Sequence, residues 1–236
     1  MHPLPLVLAH RGGAREAPEN TLAALRHAVA SGADGVELDV RLSADGVPVV
    51  FHDEDLARFV RRPARLEELA AAELAATDLG LRRRRFRGER VPTLGEALAA
   101  AAPLALVNLE LKPTARIEPL AAVVVEAVAA AGLGHRTVIT SLDPRLLAEL
   151  ERRAPALARG AVLEAPQDDD GWLAHPLVSL ALPLARAGLA ERARRAGRRV
   201  LVWTENDPRQ LARWAELGVE AVITDRPARF VAAGRR

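Results

Sequence analysis

Residues 32–53 have the sequence GADGVELDVRLSADGVPVVFHD, which contains two predicted strands and the turn between them. Apolar side chains alternate with charged ones in the first strand, Gly35–Leu42, and Val47–His52 forms the second. Only four residues separate the strands, too few for a parallel crossover, so we expect an antiparallel hairpin with an Asp-Gly turn. Folding about that turn places His52 roughly opposite Glu37.

On both sides of this hairpin, short apolar or β-branched runs alternate with Ala/Leu/Arg-rich segments of helical length, as in repeated βα units around a parallel sheet. The strands predicted for that sheet are Leu6–His10, Gly35–Leu42, Ala105–Lys112, Thr137–Leu142, Gly160–Glu164, Val178–Leu184, Arg199–Thr204 and Ala221–Thr224. The predicted helices are Thr21–Ser31 with Asn20 as N-cap, Thr93–Ala101, Ile117–Ala131, Pro144–Arg153, Leu189–Ala196 and Pro208–Leu217. Eight strands close a (β/α)8 barrel, so the sequence predicts an α/β fold of the TIM-barrel type.

The length of the chain and the alternation of predicted strands and helices predict the domain organisation. A chain of 236 residues suits one barrel, so we expect a single domain over residues 1–236. Residues 53–91 do not follow the βα rhythm and are predicted to form a small, polar insertion above the barrel. The arginine run Arg82–Arg87 in this insertion is interpreted as a solvated loop, with attraction of an acidic substrate or a phospholipid surface as the alternative.

The basic residues are almost all arginine. Lys112 is the one lysine among the 33 Lys and Arg, and both cysteine and tyrosine are absent from the sequence. Little therefore titrates between about pH 8 and 12, and a formal charge of only +2 is enough to give a pI of about 10.1. The high pI is a titration effect and gives no support for nucleic-acid binding.

Several classes of protein are excluded or disfavoured by composition. Without cysteine there is no disulfide framework, no Cys-ligated zinc, no iron–sulfur cluster and no thiol nucleophile. The first ten residues lack the basic region of a signal peptide, and no apolar run approaches the roughly 20 residues of a membrane span. We therefore expect a cytoplasmic protein without a membrane span.

Acidic residues recur inside the predicted barrel. Glu37 and Asp39 are two residues apart on one strand, so their side chains point to the same face, and Glu110 and Lys112 repeat this spacing on the next barrel strand. Three carboxylates without cysteine favour a hard divalent cation, Mg²⁺ or Ca²⁺, over zinc. The alternative is a structural ion-pair layer formed by these four residues and Arg11.

Candidate catalytic groups follow the first strand and the hairpin. His10 ends the first strand and Arg11 comes next, before two glycines; in a barrel these strand ends face one pocket. Arginine suits phosphate, and glycines let backbone N–H groups approach an anion. His52 reaches the same region through the hairpin, and two histidines can exchange protons near neutral pH. Trp203 is expected to form a wall of the pocket.

Other polar and aromatic residues are expected to have no part in the chemistry. Ser141 has no neighbouring base and lacks the Gly-x-Ser-x-Gly motif of a nucleophile. Trp172 and Trp214 are predicted to pack in the core. The remaining histidines are expected to be structural or exposed: His2, His27, His135 and His175.

A set of motifs runs along nearly the whole chain, from residue 6 to about residue 227. In chain order the motifs are His10-Arg11-Gly12, Pro18-Glu19-Asn20-Thr21, Gly32-Ala33-Asp34-Gly35-Val36-Glu37-Leu38-Asp39-Val40, Asp45-Gly46, Val49-Val50-Phe51-His52-Asp53, Glu110-Leu111-Lys112, Trp203-Thr204 and Ile223-Thr224-Asp225-Arg226-Pro227. This ordered set resembles the glycerophosphodiester phosphodiesterase family.

The resemblance implies a TIM barrel that uses a divalent cation to hydrolyse glycerophosphodiesters to sn-glycerol 3-phosphate and an alcohol. It also implies a small insertion after the second strand. The nucleophile is either the glycerol 2-hydroxyl of the substrate, which would give a cyclic phosphate, or water. The resemblance also implies roles for individual residues. The metal ligands of the family match Glu37, Asp39 and Glu110. Its general acid and base match His10 and His52, and its phosphate-binding residues match Arg11 and Lys112.

The chain departs from the family pattern at positions that are not proposed catalytic groups. These are Ser43-Ala44, Leu56-Ala57-Arg58-Phe59, Ser141-Leu142-Asp143-Pro144 and Glu205. They leave the identity of the alcohol open. Two alternative functions also remain: a lysophospholipase D acting on lysophospholipids, and a non-catalytic barrel that binds phosphate. The sequence does not indicate an oligomeric state.

Overall fold

A computed structural model describes residues 3–60, 64–80 and 83–234 of the chain. Eight parallel strands form a closed ring: β1 (Leu6–His10), β2 (Gly35–Leu42), β4 (Leu106–Leu111), β5 (Thr137–Ser141), β6 (Ala158–Leu163), β7 (Leu177–Ala181), β8 (Arg199–Trp203) and β9 (Ala221–Thr224). A further strand, β3 (Pro48–Val50), pairs antiparallel with β2 outside this ring. The ring closes where β1 pairs with both β2 and β9, which confirms the predicted TIM barrel and hairpin.

Helices surround the ring. They are α1 (Leu22–Ser31), α2 (Ala71–Ala75), α3 (Leu94–Ala101), α4 (Ile117–Ala130), α5 (Pro144–Arg153), α6 (Leu182–Leu184), α7 (Ala190–Arg195), α8 (Leu211–Glu216) and α9 (Pro227–Gly234). A wide helical turn, Ala185–Leu189, joins α6 to α7, with Gly188 at a φ of 100°. In the part of the chain that the structure describes, no helix is long and apolar enough to cross a membrane.

Strand β2 illustrates how the sequence closes the barrel around charged groups. All eight of its residues are buried, and its alternating apolar residues, such as Leu38 and Val40, pack outward among the helices. Full burial of such a side chain stabilises the fold by about 1.5–3 kcal/mol. Its charged residues take the opposite face, inside the barrel, above a floor of apolar side chains: Leu8, Leu106, Val138, Leu177, Leu201, Ala221 and Ile223.

The inserted segment after β3 is less polar than the sequence indicates. Its described residues include α2, and its side chains form a small apolar core with Val49 and Phe51 of the hairpin; the inserted residues of this core are Leu56, Leu66, Leu74, Leu79 and Val91. The arginine run starts with Arg82, which lies outside the described residues. Arg83 and Arg85 donate to the carbonyl oxygens of Ala14 and Glu16, at 3.0 and 2.8 Å. These two arginines therefore attach the insertion to the loop after β1.

Two local predictions are wrong. The predicted N-cap of α1 is Asn20, but the side chain of Thr21 caps the helix by accepting from the backbone N–H of Ala24 at 3.2 Å. The strand predicted at Val178–Leu184 ends at Ala181, because Pro183 lacks the N–H that a strand ladder needs and suits the first turn of α6. In addition, α9 was not predicted.

Candidate active site

A cavity of about 570 Å³ opens at the carboxyl ends of the barrel strands. Its lining includes seven of the eight site residues predicted from the sequence: His10, Arg11, Glu37, His52, Glu110, Lys112 and Trp203. The eighth, Asp39, lies behind this lining and contacts Lys112 and Arg11. The ring therefore brings together groups that are up to about 190 positions apart in the chain.

Three carboxylates form a compact group on β2 and β4. Glu37, Asp39 and Glu110 each offer one oxygen, and these oxygens all lie within 4.8 Å of one another. Glu37 Oε1 is buried and has no hydrogen-bond partner among the described residues. Burial, together with the negative charge of Asp39, raises the pKa of Glu37 to about 7. A divalent cation with oxygen ligands fits this arrangement, because it would neutralise the group and give Glu37 Oε1 a partner.

The described Lys and Arg side chains beside these three carboxylates form ion pairs with only two of them. Lys112 Nζ contacts Glu110 and lies 2.8 Å from Asp39 Oδ1, and Arg11 Nε lies 3.1 Å from Asp39 Oδ2. These cations outweigh burial and hold the pKa of Asp39 well below its usual range. An ion-pair layer thus accounts for Asp39 and Glu110, but among the described residues no Lys or Arg side chain forms an ion pair with Glu37.

An aspartate holds His10 in place. His10 Nδ1 lies 2.7 Å from Asp225 Oδ1, and its Nε2 lies 3.8 Å from Glu37. Although burial opposes ionisation, hydrogen bonds from His10 and Asn206 lower the pKa of Asp225 to about 2. Because an ionised carboxylate only accepts hydrogen bonds, Nδ1 of His10 carries a proton and donates it to Asp225.

A second aspartate holds His52. The β2–β3 register pairs Val40 with Val50, so His52 lies two residues beyond the paired segment. Its Nδ1 is 2.8 Å from Asp53 Oδ1, and Arg58 donates to the other oxygen of Asp53. Both candidate histidines therefore direct Nδ1 to a carboxylate.

The loop between β1 and α1 has unusual backbone geometry. In the part of the chain that the structure describes, Arg11 and Asn20 are the non-glycine residues with positive φ, at 51° and 57°. Asn20 donates from Nδ2 to Asp39 at 2.8 Å, and its backbone N–H donates to the carbonyl of Arg11 at 2.9 Å. Gly12, at a φ of 82°, packs so closely on α1 that an added Cβ would lie 2.6 Å from Ala24 Cβ.

The sequence did not indicate the partners of the site residues. Asp225 follows β9, and a position just past the end of a barrel strand is a signal that marks site residues in this fold. Asn20 and Glu19 lie in a loop, and only their places in a motif single them out. Asn206 reaches Asp225 from the loop after β8.

The described residues that were predicted to have no part in the chemistry do not line the cavity, whereas Trp203 does. His27 bonds Glu16 at 2.7 Å, and Ser141 donates to the carbonyl of Leu111. His135 and His175 are not among the cavity-lining residues, and His2 lies outside the described residues. Trp172 and Trp214 are buried in the main apolar core.

Comparison with known proteins decides the family. The sequence model of the glycerophosphoryl diester phosphodiesterase family matches residues 10–229, which include every site residue described above. The chain belongs to this family. It is therefore a phosphoric diester hydrolase by family, and its closed barrel agrees with the solved structures of other members.

Relatives along the full length support this assignment. A protein named glycerophosphodiester phosphodiesterase from Caldanaerobacter subterraneus subsp. tengcongensis is 30% identical, and the alignment covers 96% of each chain. A phosphodiesterase of Oleispira antarctica, solved with its product sn-glycerol 3-phosphate, superimposes with a TM-score of 0.87 at 30% identity, covering 99% of this chain and 98% of the other. A glycerophosphodiester phosphodiesterase from Agrobacterium tumefaciens gives a TM-score of 0.82 at 31% identity, with coverage of 97% and 100%.

Proposed function

We propose that this protein hydrolyses glycerophosphodiesters to sn-glycerol 3-phosphate and an alcohol, with a divalent cation and two histidines. One observation carries the proposal: three carboxylates within 4.8 Å of one another share a cavity with two histidines whose Nδ1 atoms are each held by an aspartate. Family membership supports the reaction class, and the product bound to the Oleispira antarctica relative supports the substrate class.

The carboxylates of Glu37, Asp39 and Glu110 would hold the cation, Mg²⁺ or Ca²⁺. When bound, such an ion polarises a phosphoryl oxygen as a Lewis acid. Arg11 and Lys112, which line the same cavity, bind the phosphate and stabilise the negative charge that grows on it during transfer. Trp203 forms part of the wall against which the substrate lies.

His10 and His52 act as general acid and base. Because an aspartate accepts from Nδ1 of each ring, Nε2 is the nitrogen left to exchange a proton with a reacting oxygen. One histidine removes a proton from the nucleophile, which is the glycerol 2-hydroxyl or water, and the other protonates the leaving alkoxide. Asp225 and Asp53 are positioning residues that fix the tautomer and orientation of the rings.

A metal screen tests the proposal. The protein is stripped with EDTA, and Mg²⁺, Ca²⁺ and Mn²⁺ are returned separately with bis(p-nitrophenyl) phosphate and with glycerophosphocholine or glycerophosphoethanolamine. We expect metal-dependent release of p-nitrophenol from the first substrate and of sn-glycerol 3-phosphate from the glycerophosphodiesters. Both should be lost in Glu37→Gln and retained in Glu16→Gln, whose carboxylate binds His27 away from the cavity. No release with any metal would refute the proposal.

Adding lysophospholipids as substrates, and a measurement of sn-glycerol 3-phosphate binding, to this screen separates the alternative functions. A lysophospholipase D would release alcohol from lysophospholipids, with a rate that rises with acyl-chain length. A non-catalytic barrel would bind sn-glycerol 3-phosphate without turnover in any metal. The cytoplasmic location and the single domain over residues 1–236 stay predictions from the sequence.

A further inference from the structure

Glu19 is shared by two arginines that come from different parts of the chain. Its Oε1 accepts from Nη1 of Arg11, in the loop after β1, at 3.0 Å. The same oxygen accepts from Nη2 of Arg58, in the inserted segment, at 2.7 Å. Glu19 does not line the large cavity, and its side chain is 22% exposed.

Each arginine continues from Glu19 to one half of the site. Arg11 extends its Nε to within 3.1 Å of Asp39, one of the three grouped carboxylates. Arg58 donates from Nε to Asp53, which holds Nδ1 of His52 at 2.8 Å. An unbroken series of charged contacts therefore runs from the carboxylate group through Glu19 to His52.

The backbone around Glu19 is held in the same arrangement. Arg11 and Asn20 both adopt positive φ, which L-residues rarely populate unless surrounding contacts hold them. The N–H of Asn20 donates to the carbonyl of Arg11, and the Asn20 side chain donates to Asp39. Glu19 precedes Asn20, so this backbone bond and the Glu19–Arg11 ion pair join the same two ends of the loop between β1 and α1.

We propose that Glu19 is a positioning residue that sets Arg11 against the phosphate and, through Arg58 and Asp53, fixes His52. This inference rests on the proposed function. If Glu19 only attached the insertion to the barrel, its removal would lower stability without a specific effect on phosphate binding or turnover. Charge-assisted bonds that orient site groups in this way typically contribute 10- to 100-fold to activity or affinity, an order of magnitude known for groups behind metal ligands.

Four variants test the proposal: Glu19→Gln, Arg58→Gln, the double variant, and Glu16→Gln as the matched control. Glu16 lies in the same loop, has a side chain that is 21% exposed, and pairs with His27 at 2.7 Å outside the cavity. For each protein, kcat and KM are measured with glycerophosphocholine at saturating metal, the Kd for sn-glycerol 3-phosphate by calorimetry, and Tm by scanning calorimetry.

We expect Glu19→Gln to lower kcat about 10- to 100-fold and to weaken the binding of sn-glycerol 3-phosphate about tenfold. Its Tm should stay close to that of Glu16→Gln, which keeps wild-type kcat. Because Glu19 and Arg58 share one contact, the loss of activity in the double variant should be clearly smaller than the product of the two single losses.

Two results would overturn the proposal. One is that Glu19→Gln matches Glu16→Gln in both kcat and Kd; the other is that the losses of Glu19→Gln and Arg58→Gln multiply in the double variant. If the wild-type protein turns over no glycerophosphodiester, the proposed function fails on its own. The role of Glu19 is then decided by the Kd alone: tenfold weaker binding in Glu19→Gln supports it, and unchanged binding refutes it.

Discussion

The substitution Asp225→Asn removes the charge that fixes His10. In the wild-type protein the ionised Asp225 accepts from Nδ1–H at 2.7 Å and also from Asn206 at 2.9 Å. An asparagine at this position has a donor as well as an acceptor, so it no longer dictates which ring nitrogen of His10 carries the proton. We expect part of the His10 population to present the wrong tautomer to the cavity.

The magnitude follows from the kind of bond that is lost. A hydrogen bond to a charged group contributes about 1.5–3 kcal/mol. At about 1.4 kcal/mol for each tenfold change in rate, losing it lowers kcat by roughly 10- to 150-fold. KM should change little, because His10 acts on the reacting oxygen and the phosphate is bound mainly by Arg11 and Lys112.

The stability of the protein responds to pH in a matching way. Burial opposes ionisation of Asp225, but its hydrogen bonds lower its pKa from 3.8 to about 2. A carboxyl group whose pKa is lower in the folded protein than in the unfolded chain stabilises the fold at pH values above its unfolded pKa, which is near 4. This stabilisation is lost as the pH falls toward 2. The shift corresponds to about 2 kcal/mol. The difference in unfolding free energy between wild type and Asp225→Asn should therefore be largest at pH 5 and smaller at pH 3.

Steady-state kinetics with glycerophosphocholine measure the first effect, and urea unfolding at the two pH values measures the second. Glu16→Gln is the matched control, because it breaks a histidine–carboxylate pair of the same 2.7 Å length at His27. If Asp225→Asn retained the kcat of Glu16→Gln, Asp225 would not position a catalytic histidine, and the assignment of His10 would lose its structural support.

Three further predictions concern the same site. Lys112→Arg should lower kcat/KM at least tenfold with a small change in Tm. The reason is that a planar guanidinium is wider than the ammonium, which contacts two carboxylates at once. Equal kcat/KM in the variant and the wild type would show that any cation suffices. His10→Ala and His52→Ala should each lower kcat about 10²- to 10⁴-fold, and a near wild-type kcat in either would exclude that residue as acid or base. Gly12→Ala should destabilise the fold by about 2–4 kcal/mol in urea unfolding, since positive φ and a close Cβ contact add together. Gly88→Ala, at a φ of 88° in open space, should show only the conformational part, and equal losses would mean that the close contact has no cost.

The strands of the barrel were largely predictable. Leu6–His10, Gly35–Leu42 and Ala221–Thr224 have the predicted bounds, because dense apolar residues continue to the point where each strand reaches the site. The hairpin was predictable because four residues cannot make a parallel crossover. The end of β7 was missed, because the Ala-Leu-Pro-Leu sequence continues the apolar run into a helix.

Only the site residues that end strands or flank the cavity were predictable from the sequence. Residues that end strands, such as His10, are drawn together by the symmetry of the barrel, so their meeting needed no knowledge of loops. The partners behind them come from contacts between distant positions: Asp225 is 215 residues from His10, and no local pattern pairs them. Asn20 was interpreted as a helix cap by its residue type, but its positive φ directs the side chain to Asp39.

Because the chain has a single lysine, covalent labelling of amines can report on one defined position in the barrel. Lys112 has only 8% of its surface exposed, and although burial acts in the opposite direction, Asp39 and Glu110 raise its pKa. Amine-reactive reagents attack the neutral amine, which this side chain rarely forms while it is enclosed between carboxylates. In a chain with one lysine, a single added mass at residue 112 would therefore count the molecules in which Lys112 has separated from these carboxylates, and its rate of appearance would time that separation.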